Sequence, residues 1–392
     1  MVFDPSASLK DRFVNARQTL IEMFPGRRRP GKTYQGLVKA LCRLPAEIRE
    51  QLQLHLCRRH QEVSGSSWRL FGWIPFAADG SRVETPRTAA NQKALGCAGK
   101  EKTGPQLLLT VLYHMGSGLP WRWIVGAGTD SERGQLRRLL PTLPLGSLLV
   151  ADAGFTGYDL LKEILGYHLS FLIRVGANVT LLTGLGFDLE RQGNVVWLWP
   201  QSKRDQEPLK FRLVRLKAKK KYCRRREDIY LLTNVFEPER LSDEMAAEFY
   251  RRRWGVEVFY RSFKQTLEQR KLRSGSPDLA KEELHWSLTA LLLLGLMGVD
   301  ALANKKRDPS RLSVAAALRE VRLAMRTNHV WRFRGDLRVL LGQAVKDTYQ
   351  RQSSKKARDW PHKKKESPPG APKIRPAKPD EILCAKRTYH VA

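Results

Sequence analysis

The sequence predicts an α/β fold: a mixed-sheet core interrupted by a β-rich insertion, with helical regions at both ends. Three observations predict it. From residue 69 to 175, apolar strand runs alternate with helical patterns, as in a strand-helix sheet. From 176 to 227, short alternating runs such as Val195-Val196-Trp197-Leu198-Trp199 are broken by Gly and Pro, which reads as an inserted β unit. From Ser242 to about Arg351 the periodicity is helical.

The elements follow in order. Residues 1–68 form a helical N-terminal region. Phe13, Leu20, Ile21 and Phe24 mark a helix ended by Pro25-Gly26, and further helices run from Tyr34 to about Leu44 and from Ala46 to about Arg59. Residues 69–175 are the first part of the core. Trp73 to Ala78 is a strand leading into Asp79-Gly80, and Gln106 to Met115 suits a central strand. Ser131 to Leu140 is helical, Leu148 to Ala151 is a short buried strand that stops at Asp152, Thr156 to Leu165 is helical, and Leu169 to Val175 is a strand. The insertion, 176–227, is followed by the second part of the core, 228–300, with a strand at Ile229–Thr233. Ser242 caps the next helix, with Asp243 and Glu244 in its first turn. Residues 301–350 are a C-terminal helical region, and the Lys/Pro-rich tail 351–392 is expected to be disordered.

The chain has 392 residues and is 42% hydrophobic, enough for a sizeable core in two or three structural units. Its net charge of +31 implies an anionic partner, most simply nucleic acid. The excess is clustered: 12 Lys/Arg lie in 203–226, among them Lys219, Lys220 and Lys221, and another 12 lie in 351–392. Cys42, Cys57, Cys97, Cys223 and Cys384 are scattered without a CxxC pair, which argues against a zinc site or a disulfide framework and fits a reducing cytosol. The N-terminus lacks an apolar signal-peptide core, and the apolar run Leu288–Val299 is too short to span a bilayer, so no membrane partner is expected.

Tyr250, Arg253, Trp254, Glu257, Arg261 and Lys264 fall within about ±60° of one line at ~100° per residue on the helix after Ser242. The apolar face is a different one, made by Phe249, Val256, Phe259, Tyr260 and Phe263, so the stripe is free to meet a ligand. Cations neutralise phosphate oxygens, rings stack on sugars or bases, and a carboxylate takes a hard cation. The competing reading is a solvated, salt-bridged helix face.

Two strands end in an aspartate followed by small residues, Ala78-Asp79-Gly80-Ser81 and Ala151-Asp152-Ala153-Gly154. Polar residues just past strand ends converge on one edge of such a sheet, where ligands bind. With Glu257 as a third acid they would complete a site for two hard cations ~4 Å apart, suited to phosphodiester displacement. Taken singly, Asp79 reads as a turn residue and Asp152 as a cap.

The spacing Tyr250-x2-Arg253-x3-Glu257-x6-Lys264 resembles the YREK signature of bacterial insertion-sequence transposases of the DDE class. Asp79-Gly80-Ser81 and Asp152-Ala153-Gly154-Phe155 are similar to that family's first and second aspartate motifs, so the resemblance covers roughly residues 70–300. It implies a ribonuclease H-like core with a β-rich insertion before the last acid. It also implies that Asp79, Asp152 and Glu257 bind two Mg²⁺ ions, with Mn²⁺ as a substitute, and are catalytic. Tyr250, Arg253, Trp254, Arg261 and Lys264, with Lys219, Lys220 and Lys221, would contact double-stranded DNA, both transposon terminal inverted repeats and target. Cleavage of the ends, joining of the 3′-OH to target, a hairpin intermediate, a synaptic homodimer and a bacterial cytoplasmic, nucleoid-associated setting are implied likewise. Two alternatives stand beside this one, a non-cleaving DNA-binding derivative and a structure-specific nuclease without strand transfer.

Other motifs compete. Gly26-Arg27-Arg28-Arg29-Pro30-Gly31-Lys32-Thr33 fits GxxxxGK[ST], but a P-loop follows a strand and these residues follow a helix. In the resembling family an aromatic of the insertion holds a flipped base, a role open to Trp197 or Trp199, although packing of the β unit explains both more simply. Asp130, Glu132 and Asp159 could compete as metal ligands, but they sit where helices start, and capping explains them better. The eight histidines show no ligand spacing.

Overall fold

The structure is a computed structural model and describes residues 1–98, 104–185, 194–217, 228–328, 336–346 and 369–389. In chain order its elements are α1 (Leu9–Met23), α2 (Tyr34–Cys42), α3 (Ala46–Ser64), β1 (Ile74–Glu84), α4 (Ala89–Leu95), β2 (Gln106–His114), β3 (Leu119–Ala127), α5 (Glu132–Leu139), β4 (Ser147–Ala151), α6 (Tyr158–Gly166), β5 (Ser170–Val175), β6 (Thr180–Thr183), β7 (Val195–Leu198), β8 (Leu209–Leu216), β9 (Ile229–Thr233), α7 (Asp243–Arg253), α8 (Gly255–Arg261), α9 (Pro277–Asn304), α10 (Val314–Asn328), α11 (Leu337–Leu341), β10 (Lys373–Pro376) and α12 (Pro379–Tyr389). They group into two compact units, Met1–Thr142 with Trp254–Lys346, and Leu143–Arg253 with Asp347–Ala392.

In the first unit, β1, β2 and β3 form an antiparallel meander. The first five residues of β1 and all of β2 after Gln106 are buried, so both faces of these strands are covered. Helix α8 packs on β1, α5 on β2 and β3, and α9 on β3 and α3. By length and composition α9 could cross a membrane, but 67% of its most apolar window is buried within the protein. It acts as a core helix, with Leu284, Leu288, Val299 and Leu302 fully enclosed.

Behind the meander lies a buried polar knot. The indole of Trp68 stacks on His114 at 4.4 Å, with His60, Phe76 and Trp121 around them. The Ser117 N–H donates to His114 Nδ1 at 3.1 Å, and His114 Nε2 donates to the Trp68 carbonyl at 3.1 Å. These partners require a neutral His114. The Ser117 hydroxyl also lies 2.6 Å from His60 Nε2.

In the second unit a seven-stranded mixed sheet runs β10-β6-β7-β8-β9-β5-β4. Its β4/β5 and β6/β10 pairs are parallel and the others antiparallel. The strands read from sequence as an insertion therefore continue the sheet of β4, β5 and β9, through pairs such as Val214↔Leu231. Helix α7 packs on β4 and β8, and Arg212 ties its start to the sheet through Asp243 at 2.6 Å and the Leu241 carbonyl at 2.7 Å.

Several sequence expectations need correction. The tail is not wholly without structure: within 369–389, β10 pairs with β6 and α12 packs Ala385 to full burial. Glu381 holds this segment by accepting from Arg204 and Arg375 at 2.6 and 2.7 Å. The strand β3 was not anticipated, because Pro120 and Gly126 interrupt its pattern; Pro120 sits near the strand start, where proline is tolerated. Nor was α4, a two-turn helix capped by Thr88.

The P-loop match is excluded by context. Residues 24–33 connect α1 to α2, and the Thr33 hydroxyl accepts the Gly36 N–H at 3.1 Å as a helix cap. Trp197 and Trp199 are both buried at 2% exposure. The Trp199 indole donates to the Lys203 and Gln206 carbonyls at 2.9 and 2.7 Å, and Arg204 lies over its ring at 4.2 Å. They pack the β unit. Asp159 pairs with Lys203 at 2.8 Å.

Candidate active site

Asp79 does not lie past a strand end. Strand β1 runs on to Glu84, pairing Asp79 with Val111, Gly80 with Thr110 and Ser81 with Leu109. The Asp-Gly pair fails to turn the chain because the antiparallel ladder continues through it. The half-buried Asp79 accepts the Gly80 N–H on Oδ1 at 2.9 Å. Asp152 does end a strand. It follows β4 and caps a single 3₁₀ turn, accepting the Gly154 N–H on Oδ1 at 2.9 Å, so the capping role holds. It too is half-buried.

The signature segment is not one helix. Helix α7 ends at Arg253, Trp254 is a turn residue, α8 begins at Gly255, and Ser262–Thr266 forms a π-helical turn. Glycine at 255 weakens the helix. It also lets the segment approach β2, since a Cβ there would stand 2.9 Å from the Tyr113 ring. In the π turn the Leu267 N–H reaches back to the Ser262 carbonyl at 3.2 Å, five residues away. A single 100° phase therefore does not carry from Tyr250 to Lys264. The apolar face is as expected: Phe249, Val256, Phe259, Tyr260 and Phe263 are all buried.

The stripe residues divide between the units. Tyr250 and Arg253 belong to the second, where the Arg253 guanidinium lies 5.3 Å from the Tyr250 ring centre. Beside them Glu248 accepts from Arg251 and Arg252, and these bonds, Arg251 first, hold its carboxyl down at about 2. Trp254, Glu257, Arg261 and Lys264 belong to the first unit. Trp254 is 53% exposed, Arg261 is exposed and Glu257 is half-buried. Lys264 is already engaged: its Nζ donates to Ser81 Oγ at 2.8 Å and to the Arg82 carbonyl at 2.7 Å. Lys219, Lys220 and Lys221 lie outside the described residues.

The first unit thus ties the first and third acids to each other. Tyr260, one turn after Glu257, donates its hydroxyl to the Asp79 carbonyl at 2.8 Å, with the Leu109 carbonyl at 3.1 Å. Burial, then the charges of Asp79 and Glu132, push the Tyr260 hydroxyl well above its ordinary pKa, so it stays a donor. Sequence reasoning had placed Tyr260 on the apolar face and missed the hydroxyl. It had weighed Glu132 as a metal ligand and preferred a capping role, which the structure corrects. A Cβ on Gly80 would fall 2.5 Å from the Glu132 carboxyl carbon, so this acid lies against the backbone next to Asp79 while Ser131 does the capping. No local signal marks Glu132; its place depends on β3, which brings α5 back over β1 and β2.

Asp79 and Glu257 come from the first unit and Asp152 from the second. Among the described residues no three His, Cys, Asp or Glu side chains form a ready metal-binding group. The fit to a divalent cation rests on the donors themselves, half-buried carboxylates whose hard oxygens suit Mg²⁺ or Mn²⁺.

An α/β protein with carboxylates on a strand and on a cation-rich helix has the make-up of a nucleic-acid-processing domain. The chain belongs to the transposase DDE domain family, whose model matches residues 74–293, more than half its length. The resemblance drawn from the signature is thereby borne out. The transposase InsG for insertion sequence element IS4 of Escherichia coli (strain K12) is 26% identical over 287 residues, covering 69% of this chain. The chain spans 62% of the length of that relative. Among solved structures, a piggyBac transposase synaptic complex with hairpin DNA is 12% identical, covering 73% of this chain and 60% of its own, at a TM-score of 0.40. A Mos1 transposase paired-end complex with left transposon end is 11% identical, covering 40% of this chain and 49% of its own, at a TM-score of 0.19.

Proposed function

We propose that this chain is a DNA transposase that cleaves transposon ends and joins the freed 3′-OH to target DNA. The observation that carries the reading is the contact between signature segment and first-aspartate strand: Tyr260 meets the Asp79 backbone one turn from Glu257, inside the matched family domain. In this reading the core is ribonuclease H-like, and Asp79, Asp152 and Glu257 are the catalytic carboxylates that would hold two Mg²⁺ ions, or Mn²⁺ in their place. Such ions activate an attacking oxygen and stabilise a leaving one. Tyr250, Arg253, Trp254, Arg261 and Lys264 orient the phosphates of the end, Lys264 with the ammonium hydrogen that Ser81 and Arg82 do not take. The helical residues 1–68 grip the terminal inverted repeats, the chain acts as a synaptic homodimer, and it works on the bacterial nucleoid. The test is direct: an end duplex from the inverted repeats flanking the gene, incubated with protein and Mg²⁺, is nicked to leave a 3′-OH at the repeat boundary. Absence of that product at any divalent-ion concentration overturns the reading.

The basic run of the insertion gives a separate expectation. Replacing Lys219, Lys220 and Lys221 with Ala weakens end binding and lowers the slope of log K against log salt by up to ~3, at roughly 0.9 per lost phosphate contact. A titration with an unchanged slope would make the run a solubilising face only.

A further inference from the structure

Helix α8 packs on β1 and buries Phe259, whose ring lies 6.0 Å from that of Tyr113 on β2, and the π turn after it buries Phe263. Apolar contacts are non-directional and tolerate small slides of a helix across a strand. Two side chains here make directional polar contacts. Tyr260 donates to the carbonyl of Asp79 itself, and Lys264 reaches Ser81 and Arg82, two and three residues further along the same strand. The π turn begins between these two anchors. Lys264 sits inside Ser262–Thr266, so the wider turn sets where its ammonium falls.

We propose that Tyr260 and Ser81 are positioning residues that fix the distance and rotation of Glu257 relative to Asp79. The inference rests on the proposed reading, its binding arm on Asp79 and Glu257 as metal ligands and its kinetic arm on phosphodiester cleavage. Tyr260 acts from three residues beyond Glu257, about one turn along and roughly 60° round the helix from it. Its buried hydroxyl has one proton, shared between the Asp79 and Leu109 carbonyls, so it registers the helix against β1 and β2 together. Ser81 acts through Lys264, whose side chain it holds against the strand. Neither residue supplies a carboxylate.

The test uses the full chain with Tyr260→Phe, Ser81→Ala and Ser81→Thr. Manganese binding is read by calorimetry, and single-turnover cleavage of an end duplex is read at saturating DNA across a Mg²⁺ titration. The expected result is that Tyr260→Phe and Ser81→Ala weaken Mn²⁺ binding several-fold, raise the half-saturating Mg²⁺ concentration, and slow cleavage on the order of 10-fold to 10²-fold, as an ångström-scale misplacement does. Affinity of Tyr260→Phe for the end duplex stays at the wild-type value. Ser81→Thr, which keeps the hydroxyl, retains wild-type behaviour. A residue that only stabilises the fold would lower the melting temperature and leave metal affinity per folded molecule unchanged, and that outcome overturns the proposal. If the wild type binds Mn²⁺ and Tyr260→Phe weakens it, but neither protein cleaves, the positioning role stands and the cleavage reading falls. If the wild type binds no Mn²⁺, both fall.

Discussion

Asp79→Ala, Asp152→Ala and Glu257→Ala each lose end cleavage by on the order of 10³-fold or more while keeping most of their affinity for end DNA. The two effects separate because different groups carry them. Removing a member of a catalytic set that acts as a unit costs nearly as much as removing the whole set. Binding is dominated by Lys and Arg on phosphates, and a chain of net charge +31 has many of them. The three substitutions are also mild for folding. Each side chain is half-buried, and the two aspartates accept local hydrogen bonds, Asp79 from Gly80 and Asp152 from Gly154. Loss of that cap costs Asp152→Ala about 1 kcal/mol of stability, too little to unfold the unit. Single-turnover cleavage and gel-shift titration on the same preparations check the expectation. A variant that nicks at the wild-type rate in Mg²⁺ removes its residue from the site.

Mild acid is expected to weaken the first unit far more than these substitutions do. Burial lowers the His114 and His285 pKa values to about 4, and that of His60 well below the ordinary 6.5. The bonding agrees with this. The Trp123 indole, a donor only, points at His285 Nδ1 at 3.1 Å, so that nitrogen carries a lone pair. In the unfolded chain histidines protonate near pH 6.5, whereas His114 and His285 in the folded one do so only near 4. Between those values the unfolded state binds more protons, so stability is full above about 6.5 and falls as the pH drops towards 4. At pH 5 each of His114 and His285 costs on the order of 2 kcal/mol. Urea midpoints at pH 7 and pH 5 measure the loss, and His285→Gln should remove roughly its share. A midpoint that does not change between the two pH values would mean that these rings are hydrated in solution.

Much of this architecture was legible in the sequence where a local pattern decides the outcome. The helices from Tyr34 and Ala46, the buried strand from Gln106 and the Ser242 cap depend on periodicity and on one hydroxyl, and they appear where those signals stand. What was hidden depends on pairing across distance. Asp79-Gly80 reads as a turn, yet it continues as strand because β2 supplies partners on the far side of residues 85–105. The end of the chain reads as a charged tail, yet Glu381 and β6 give its last described segment a place in the sheet.

The candidate site divides in the same way. Its three candidate acids and its cations were proposed from two aspartate motifs and the YREK spacing, which are sequence properties. Tyr260 looked like one more ring on an apolar face, because nothing in a sequence tells a core tyrosine that donates to a backbone carbonyl from one that merely fills space. Lys264 looked free, because the π turn that carries it to Ser81 breaks the 3.6-residue period used to place it. Glu132 looked like a cap, because its closeness to Gly80 needs the whole β1-β2-β3 meander.

Strand joining tests the central claim most directly. A pre-cleaved end duplex with a labelled 3′-terminal strand is incubated with the protein, Mg²⁺ and a supercoiled plasmid, beside the same duplex ending in a 3′-deoxy nucleotide. The account predicts label covalently attached to the plasmid for the 3′-OH end, none for the 3′-deoxy end, and none with Glu257→Ala. Plasmid nicked by water without attached label, from a protein that cleaves the uncut end normally, would contradict it and make the chain a nuclease.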